Sequence, residues 1–322
     1  MQTIIGYNLE YAAELLRNNE LVAIPTETVY GLAGNALNSD AVTRIFEAKN
    51  RPHFNPLIVH LASLDQAESF VAEIPEQARK LAKHFMPGPL TLLLPRLPAV
   101  PDLVTAGSDF VAIRIPAHPV AIRLLQMLEF PLAAPSANPF GYISPTSAEH
   151  VLQQLSGKIP YILDGGLSHV GVESTIVGFS NGIPRLLRPG GVGREAIEAI
   201  IGEPLQDPEP NSNLKPVAPG MLETHYAPHT RFVLGNADEL IKVYAGKKIG
   251  LLAFNKGREK VSSEDTFILS PSGTDTEAAR NLFAYMRRLD EAGYEIIIAE
   301  PVPATGLGPA INDRLRRAAA NR

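Results

Sequence analysis

The sequence predicts an α/β protein in two parts. The larger N-terminal part has a twisted mixed sheet with flanking helices, and a smaller C-terminal part follows a Rossmann-like βαβ pattern. Three observations predict this. Up to residue 203, short apolar runs alternate with amphipathic helical stretches and close on a hairpin, which a pure βαβ array would lack. Between residues 204 and 230 the periodicity vanishes among Pro204, Pro208, Pro210, Pro216, Pro219 and Pro228. After Thr230, strand and helix patterns alternate cleanly, as in a small parallel sheet. The division is therefore 1–203, 204–230 and 231–322, and 322 residues suffice for two separate cores.

In order, Asn8 caps a helix with Leu9, Ala12, Ala13, Leu15 and Leu16 on one side. Residues 21–24 form a strand that runs into Pro25. Ser39 is expected to cap the next helix, where Val42, Ile45 and Phe46 share a face and Pro52 stops the chain after Lys49 and Arg51. Residues 57–61 resume as a strand with His60 near its end. Helical segments follow at 64–71 and 76–85, then the turn Pro87-Gly88-Pro89. Strands at 91–94 and 110–115 lead to a helix opened by His118 and Pro119 and running to 128. The apolar run 131–134 stops at Pro135-Ser136-Ala137-Asn138, and Ser147 caps a helix to 155. Strand 161–163 precedes a hairpin, 174–179 and 185–187, turning over Ser180-Asn181-Gly182. A helix at 194–201 ends this part. Prolines keep the linker extended, and Met221, His225 and Tyr226 within it indicate that it packs on something. Beyond it, strands at 232–234, 249–254, 267–269 and 296–299 alternate with helices at 237–244, 275–291 and 311–320.

Composition narrows the function classes. With 29 basic and 34 acidic residues the net charge is −5, a poor balance for a dedicated nucleic-acid binder. Zero cysteines exclude disulfides, thiolate metal sites and cysteine nucleophiles, and suit a reducing compartment. There is no P-loop and no G-x-S-x-G elbow. Gly306-Leu307-Gly308 lacks the third glycine of a dinucleotide turn, and His225 and His229 straddle Pro228 without an acidic partner, so neither NAD nor zinc is expected. No run approaches about 18 apolar residues. No secretory n- and h-regions are seen, so a cytoplasmic protein is expected.

The stretch from Ile24 to Leu61 gathers the most chemistry. It brings the hydroxyls of Thr26, Thr28 and Tyr30, the cations Lys49 and Arg51, the amide Asn55 and the imidazole His60 to two strand ends and one helix end. Two cations two residues apart on irregular backbone suit a phosphate. The plainer alternative is that they complement the helix dipole and stay solvated. Ser136 and Asn138 can donate to a phosphate or a purine edge, or bond only their own turn; Ser144 is open in the same way. Alternation places Arg114 opposite Val111, Ile113 and Ile115, either on a solvated sheet face or as a clamp for a carboxylate. Arg188 precedes Pro189-Gly190-Gly191, a backbone that permits close approach to phosphate, and Ser174-Thr175 can bond a small ligand or pair across the sheet.

The runs PTETVYGL, KNRP, NPLIVH, PGPLT, VAIRIP and PSAN together resemble the YrdC-like domain of threonylcarbamoyl-AMP synthases. The APGM and HYAP segments and the additional C-terminal part resemble the long, two-domain form. The resemblance is strongest up to Gly191 and in the linker, and looser after Thr230. It implies ATP-dependent synthesis of threonylcarbamoyl-AMP from L-threonine and bicarbonate, with release of pyrophosphate, for threonylcarbamoyl-adenosine in tRNA. It further implies that Thr28, His60, Arg114, Ala134 and Ser174 surround L-threonine. Lys49, Arg51, Asn55, Ser136, Asn138, Ser144, Arg188 and Tyr226 would hold ATP, with Lys49 and Arg51 as the catalytic pair. Mg2+ would arrive with ATP, with no metal held by protein side chains alone. The product would pass to a downstream tRNA threonylcarbamoyl transferase, without membrane contact or tight nucleic-acid binding. Two departures stand out: Gly178, where many relatives are acidic, and Leu222-Glu223-Thr224 in place of a more basic run. The alternatives are a non-catalytic nucleotide- or RNA-binding module of this fold and a carbamoyl-transfer enzyme of related architecture, whose zinc-finger and acylphosphatase-like segments are missing here along with every cysteine.

Overall fold

The computed structural model of the chain describes residues 2–180, 182–207, 219–220 and 225–320, without the side chain of Ser180. Linker residues 208–218, Met221 and Leu222-Glu223-Thr224 lie outside the described residues, as does Asn181 of the hairpin turn. The larger sheet contains β1 (Ile4–Gly6), β2 (Val22–Ile24), β3 (Gly31–Asn35), β4 (Ile58–His60), β5 (Leu90–Pro95), β6 (Phe110–Arg114), β7 (Leu132–Ala133), β8 (Tyr161–Leu163), β9 (Thr175–Ser180) and β10 (Ile183–Arg188). Their order is β1-β8-β2-β3-β7-β4-β6-β5-β9-β10. Parallel pairs such as β4/β6 and β5/β9 adjoin antiparallel ones such as β5/β6 and β9/β10, so the sheet is mixed. Packed with it are α1 (Leu9–Arg17), α2 (Ser39–Lys49), α3 (Glu76–Phe85), α4 (Asp102–Thr105), α5 (Pro119–Gln126), α6 (Ala148–Leu155) and α7 (Arg194–Ile201).

The smaller sheet has the order β11-β14-β12-β13, from β11 (Arg231–Leu234), β12 (Ile249–Ala253), β13 (Thr266–Ile268) and β14 (Ile296–Ala299). Its pairings are parallel, with α8 (Ala237–Val243), α9 (Asp275–Glu291) and α10 (Gly308–Ala319) as partners. The α/β reading of both sheets therefore holds. Among the described residues, no helix is long and apolar enough to cross a membrane.

Local chemistry explains most elements. Helix α2 buries Val42, Ile45 and Phe46, each contributing about 2 kcal/mol, against about 1 kcal/mol for its cap. Packing therefore dominates. The cap itself is Asn38, whose side chain accepts from the Ala41 N–H; Ser39 is the first helical residue, one position later than expected for a cap. Asn50 ends the helix in the left-handed region at φ 50°, turning Lys49 and Arg51 inward. The stretch expected as a helix at 64–71 is a short 3-10 turn, Asp65–Ser69. Strands β1 and β3 and the single turn α4 were not foreseen. β3 is GLAGN, buried along four of its five residues, so it carries no alternation to read.

Loops of the larger part join the core of the smaller one. Val29, Tyr142, Ile143, Val172 and Tyr226 bury in one cluster with Leu282, Phe283 and Met286 of α9 and Ile311 and Leu315 of α10. Tyr142 donates to Asp290 Oδ2 at 2.6 Å, and Arg287 Nη2 donates to the Ile143 carbonyl and, at 3.0 Å, to Gln154. Gly171 meets α9 backbone directly: at φ +79°, a Cβ there would lie 2.4 Å from Ala279 O and Arg280 Cα. Gly171→Ala is expected to cost about 2 kcal/mol or more, read as a lower denaturation midpoint. An unchanged midpoint would mean that this contact does not join the two parts.

Candidate functional site

The centre of the larger sheet sets the site. His60 at the end of β4 stands in register with Arg114 on β6 and Leu132 on β7. The loop after β2 adds a hydroxyl shelf. Thr26 donates to the Val29 carbonyl at 2.6 Å, and its oxygen lies 2.8 Å from Thr28 Oγ1, so Thr28 supplies that proton. The exit of β7 gives Ala134, Pro135 and Ser136. The entry of β9 gives Glu173 and Ser174, and the end of β10 gives Arg188. Pro219, Gly220, His225 and Tyr226 of the linker complete the lining. The cavity they line has a free volume of about 50 Å³, room for a few waters only.

The cations are buried, which removes the solvated alternative for Lys49, Arg51 and Arg114. Lys49 Nζ donates to the Ser136 carbonyl at 2.5 Å and to that of Asn138. Arg51 donates to the carbonyls of Asn55 (3.1 Å) and Pro56 (2.8 Å). Arg188 donates to Ser174 O at 2.8 Å, Ser174 Oγ at 3.2 Å and Pro219 O at 3.0 Å. Among the described residues none of these three has a carboxylate at ion-pair distance. Burial, and then the charge of Arg51, hold the Lys49 amine well below its ordinary value. Burial likewise lowers Arg51 to about 9 and Arg188 to about 10. His60 falls to about 3 through burial and the Arg114 charge, so it is neutral at physiological pH. Burial and the surrounding cations push His225 down as well.

Two carboxylates offset part of this field. Arg114 Nη2 lies 2.8 Å from Glu27 Oε1, an ion pair without hydrogen-bond alignment. Glu173 accepts from Ser144 Oγ at 2.6 Å and from Arg314 Nε at 3.0 Å. Its carboxyl would rise on burial, but Arg314 and Arg188 outweigh that and hold it low.

Of the residues singled out in the sequence, Thr28, His60, Arg114, Ala134, Ser174, Arg51, Ser136, Arg188 and Tyr226 line the cavity. Lys49, Asn55, Asn138 and Ser144 are buried just behind it. Asn55 finds no partner for either amide atom among the described residues. Asn138 Nδ2 bonds the local carbonyls of Pro139 and Tyr142, as the plainer alternative holds, while its Oδ1 is unpartnered. Ser144 bonds Glu173 rather than its own turn. Sequence reasoning missed Glu27, Glu173 and Arg314. Glu27 had a signal, lying between two threonines of a distinctive run; Arg314, 141 residues from Glu173, had none. Among the described residues no cluster of three or more His, Asp or Glu side chains could hold a metal.

Comparison with known proteins places these features. Residues 14–190 match the Sua5, YciO and YrdC family, described as telomere recombination, and residues 192–320 match the threonylcarbamoyl-AMP synthase C-terminal domain. The chain is 45% identical to a threonylcarbamoyl-AMP synthase of Pyrococcus abyssi, covering all of this chain and 96% of that protein. It is 46% identical to that of Bacillus subtilis, over 97% and 92% of the two chains. The crystal structure of P. abyssi Sua5 complexed with L-threonine superimposes with a TM-score of 0.91 at 44% identity, over 99% and 98% of the chains.

The buried Lys49 amine, held well below its ordinary pKa, makes a testable demand. ATP bound beside it should raise the lowered Lys49 pKa and draw protons into the complex at pH values above the nucleotide's own last phosphate ionisation near about 6. Calorimetry in two buffers of different ionisation enthalpy should show this uptake in the wild type and not in Lys49→Met. A binding enthalpy independent of buffer in the wild type would contradict the depressed Lys49.

Proposed function

The chain belongs to the threonylcarbamoyl-AMP synthase family, enzymes of nucleotidyltransferase type, and on that premise we propose that it joins L-threonine, bicarbonate and ATP into threonylcarbamoyl-AMP with release of pyrophosphate. The observation that carries this is the set of buried cations without a carboxylate at ion-pair distance among the described residues, beside a small polar pocket. A triphosphate supplies the negative charge that Lys49, Arg51 and Arg188 lack. The pocket of Thr28, His60, Arg114, Ala134 and Ser174 has the donors for an amino acid, and a relative 44% identical was crystallised with L-threonine.

The chemistry needs no enzyme nucleophile. The threonine amine and bicarbonate condense to a carbamate with loss of water. A carbamate oxygen then attacks the α-phosphorus in line, and pyrophosphate leaves. Arg114, steadied by Glu27, holds the amino-acid carboxylate; neutral His60 bonds the substrate without adding charge. Lys49, Arg51 and Arg188 stabilise the charge that moves onto the departing phosphates. Asn55, Ser136, Asn138 and Ser144 complete the nucleotide cradle, and Tyr226 closes over it. Mg2+ fits as a partner of the phosphate oxygens, which it would help neutralise: Glu173 is already committed to Arg314 and Ser144, so the wall offers no carboxylate cage.

The free volume is too small for a nucleotide, so the strap at 219–220 and 225–226 withdraws to admit ATP and returns to exclude water from the labile carbamate. Residues 1–203 thus carry the chemistry, 204–230 the closure and 231–322 its support. The product serves threonylcarbamoyl-adenosine formation on tRNA in the cytoplasm, handed to a separate transferase.

The test is pyrophosphate release by the purified chain, expected only when threonine and bicarbonate are both present; a nucleotide binder without chemistry releases none. Lys49→Ala and Arg51→Ala should each lower the rate about 100-fold or more with the fold intact. Arg114→Lys should raise the threonine KM about tenfold. Near-normal turnover in both alanine variants would overturn the assignment.

A further inference from the structure

Arg287 and Arg314 are the largest wholly buried side chains among the described residues; both reach out of helices of the smaller sheet, Arg287 to Ile143 behind the cavity and Arg314 to Glu173 in its wall. Stability alone does not ask for ions there, because well-packed apolar side chains in place of a buried ion pair are often neutral or better. Arg314, on α10, is tied to three separately supplied pieces of the wall. Its Nε meets Glu173, just before β9, at 3.0 Å. Its Nη1 donates to the carbonyl of Pro189, just after Arg188, at 2.6 Å. Its guanidinium carbon stands 5.4 Å from the ring centre of Tyr226. Asp313, held in turn by Arg317 at 3.0 Å, braces it from its own helix.

The pieces it joins are those that hold the cavity's charge. Glu173 carries Ser144 on its other oxygen and adjoins Ser174, whose carbonyl and hydroxyl receive Arg188. The β9 entry and the β10 exit are pressed together at Gly190, where a Cβ would lie 2.3 Å from Ser174 C. Without Arg314 the buried Glu173 carboxylate would have Arg188 as its nearest replacement partner. Arg188 would then be drawn from Ser174 and neutralised, and the site would lose a free cation.

We infer that Arg314 is a positioning residue for adenylate formation: by engaging Glu173, Pro189 and Tyr226 together it keeps Arg188 free and Ser144 and Ser174 in place, so the C-terminal part completes the site. This rests on the proposed synthase reading of the cavity. The substrate-facing groups on the opposite wall, Thr28, His60 and Arg114, make no contact with Arg314, and that asymmetry gives the role its signature.

The experiment compares full-length wild type with Arg314→Met, Arg314→Lys and Glu173→Gln in steady-state pyrophosphate release, each checked for native circular dichroism. Arg314→Met should lose about 10- to 100-fold in kcat, with the KM for ATP raised more than that for threonine, whose pocket shares only Ser174 with these contacts. Arg314→Lys, which keeps the charge on Glu173, should recover part of the rate. Adding Glu173→Gln to Arg314→Met should recover part of the rate, since it removes the unpaired carboxylate that would otherwise capture Arg188. Folded Arg314→Met with kcat and ATP KM within about twofold of wild type would overturn the inference, as would an equal rise in both KM values, the mark of general loosening. Should Arg314→Met not fold, Arg314→Lys, which keeps the charge but not the guanidinium's reach to Pro189 and Tyr226, carries the test: a smaller loss with the same split between the two KM values supports the inference, and wild-type kinetics overturn it. A wild type that releases no pyrophosphate refutes the synthase reading instead, which separates the two failures.

Discussion

The structure depends on the burial of Lys49 and Arg51 against backbone carbonyls instead of carboxylates. Taking an ion out of water costs several kcal/mol, and each charge-assisted bond to a carbonyl offsets only about 1.5–3 kcal/mol. The Ser136 and Asn138 carbonyls therefore hold Lys49 in place without neutralising it. Arg188 is in the same condition against Ser174 and Pro219. The outcome is a concentrated positive field in a dry hollow, sustained by the apolar packing of α2 and the central strands. Such a field has little use except for a polyanion, and fixed charges that need no reorganisation are what phosphoryl chemistry draws on.

Holding like charges together requires a rigid frame, and the frame spans both sheets. The loop after β7 is pinned from behind by Lys49 and, further along, by Arg287 at Ile143. The β9 and β10 ends are pinned by Arg314. Tyr226 of the linker lies at φ +62°, a left-handed conformation uncommon outside glycine, and is stacked on Phe283 of α9 with ring centres 5.5 Å apart. The segment that covers the cavity is thus fastened to the C-terminal part through Tyr226 as well as to the sheet that lines the hollow through Arg188 and Pro219. Movement of the strap and the seating of α9 and α10 are mechanically linked.

Much of this was legible in the sequence. The amphipathic helices, the parallel C-terminal sheet and the hairpin followed from periodicity and capping, and Arg194–Ile201 and Asp275–Glu291 carry the expected boundaries. β3 was hidden because a strand buried on both faces shows no alternation. Asn38 and Ser39 are both able caps, and the choice is made by backbone geometry, with Asn38 extended at φ −105°. For Arg114, alternation gave the face of the strand but not what covers it, so the Glu27 partner could not be read. The second rank of the site, with Asn55, Asn138 and Ser144 behind the wall, needs three-dimensional packing to recognise. The Glu173–Arg314 pair joins residues from the two ends of the chain and leaves no local pattern at all.

The most direct test of the central claim is a crystal structure of the chain with a non-hydrolysable ATP analogue and L-threonine. The phosphates should lie against Lys49, Arg51 and Arg188, with the threonine carboxylate at Arg114 and residues 219–220 and 225–226 displaced from their present positions. A nucleotide seated elsewhere, with those three cations still satisfied by their carbonyls alone, would contradict it.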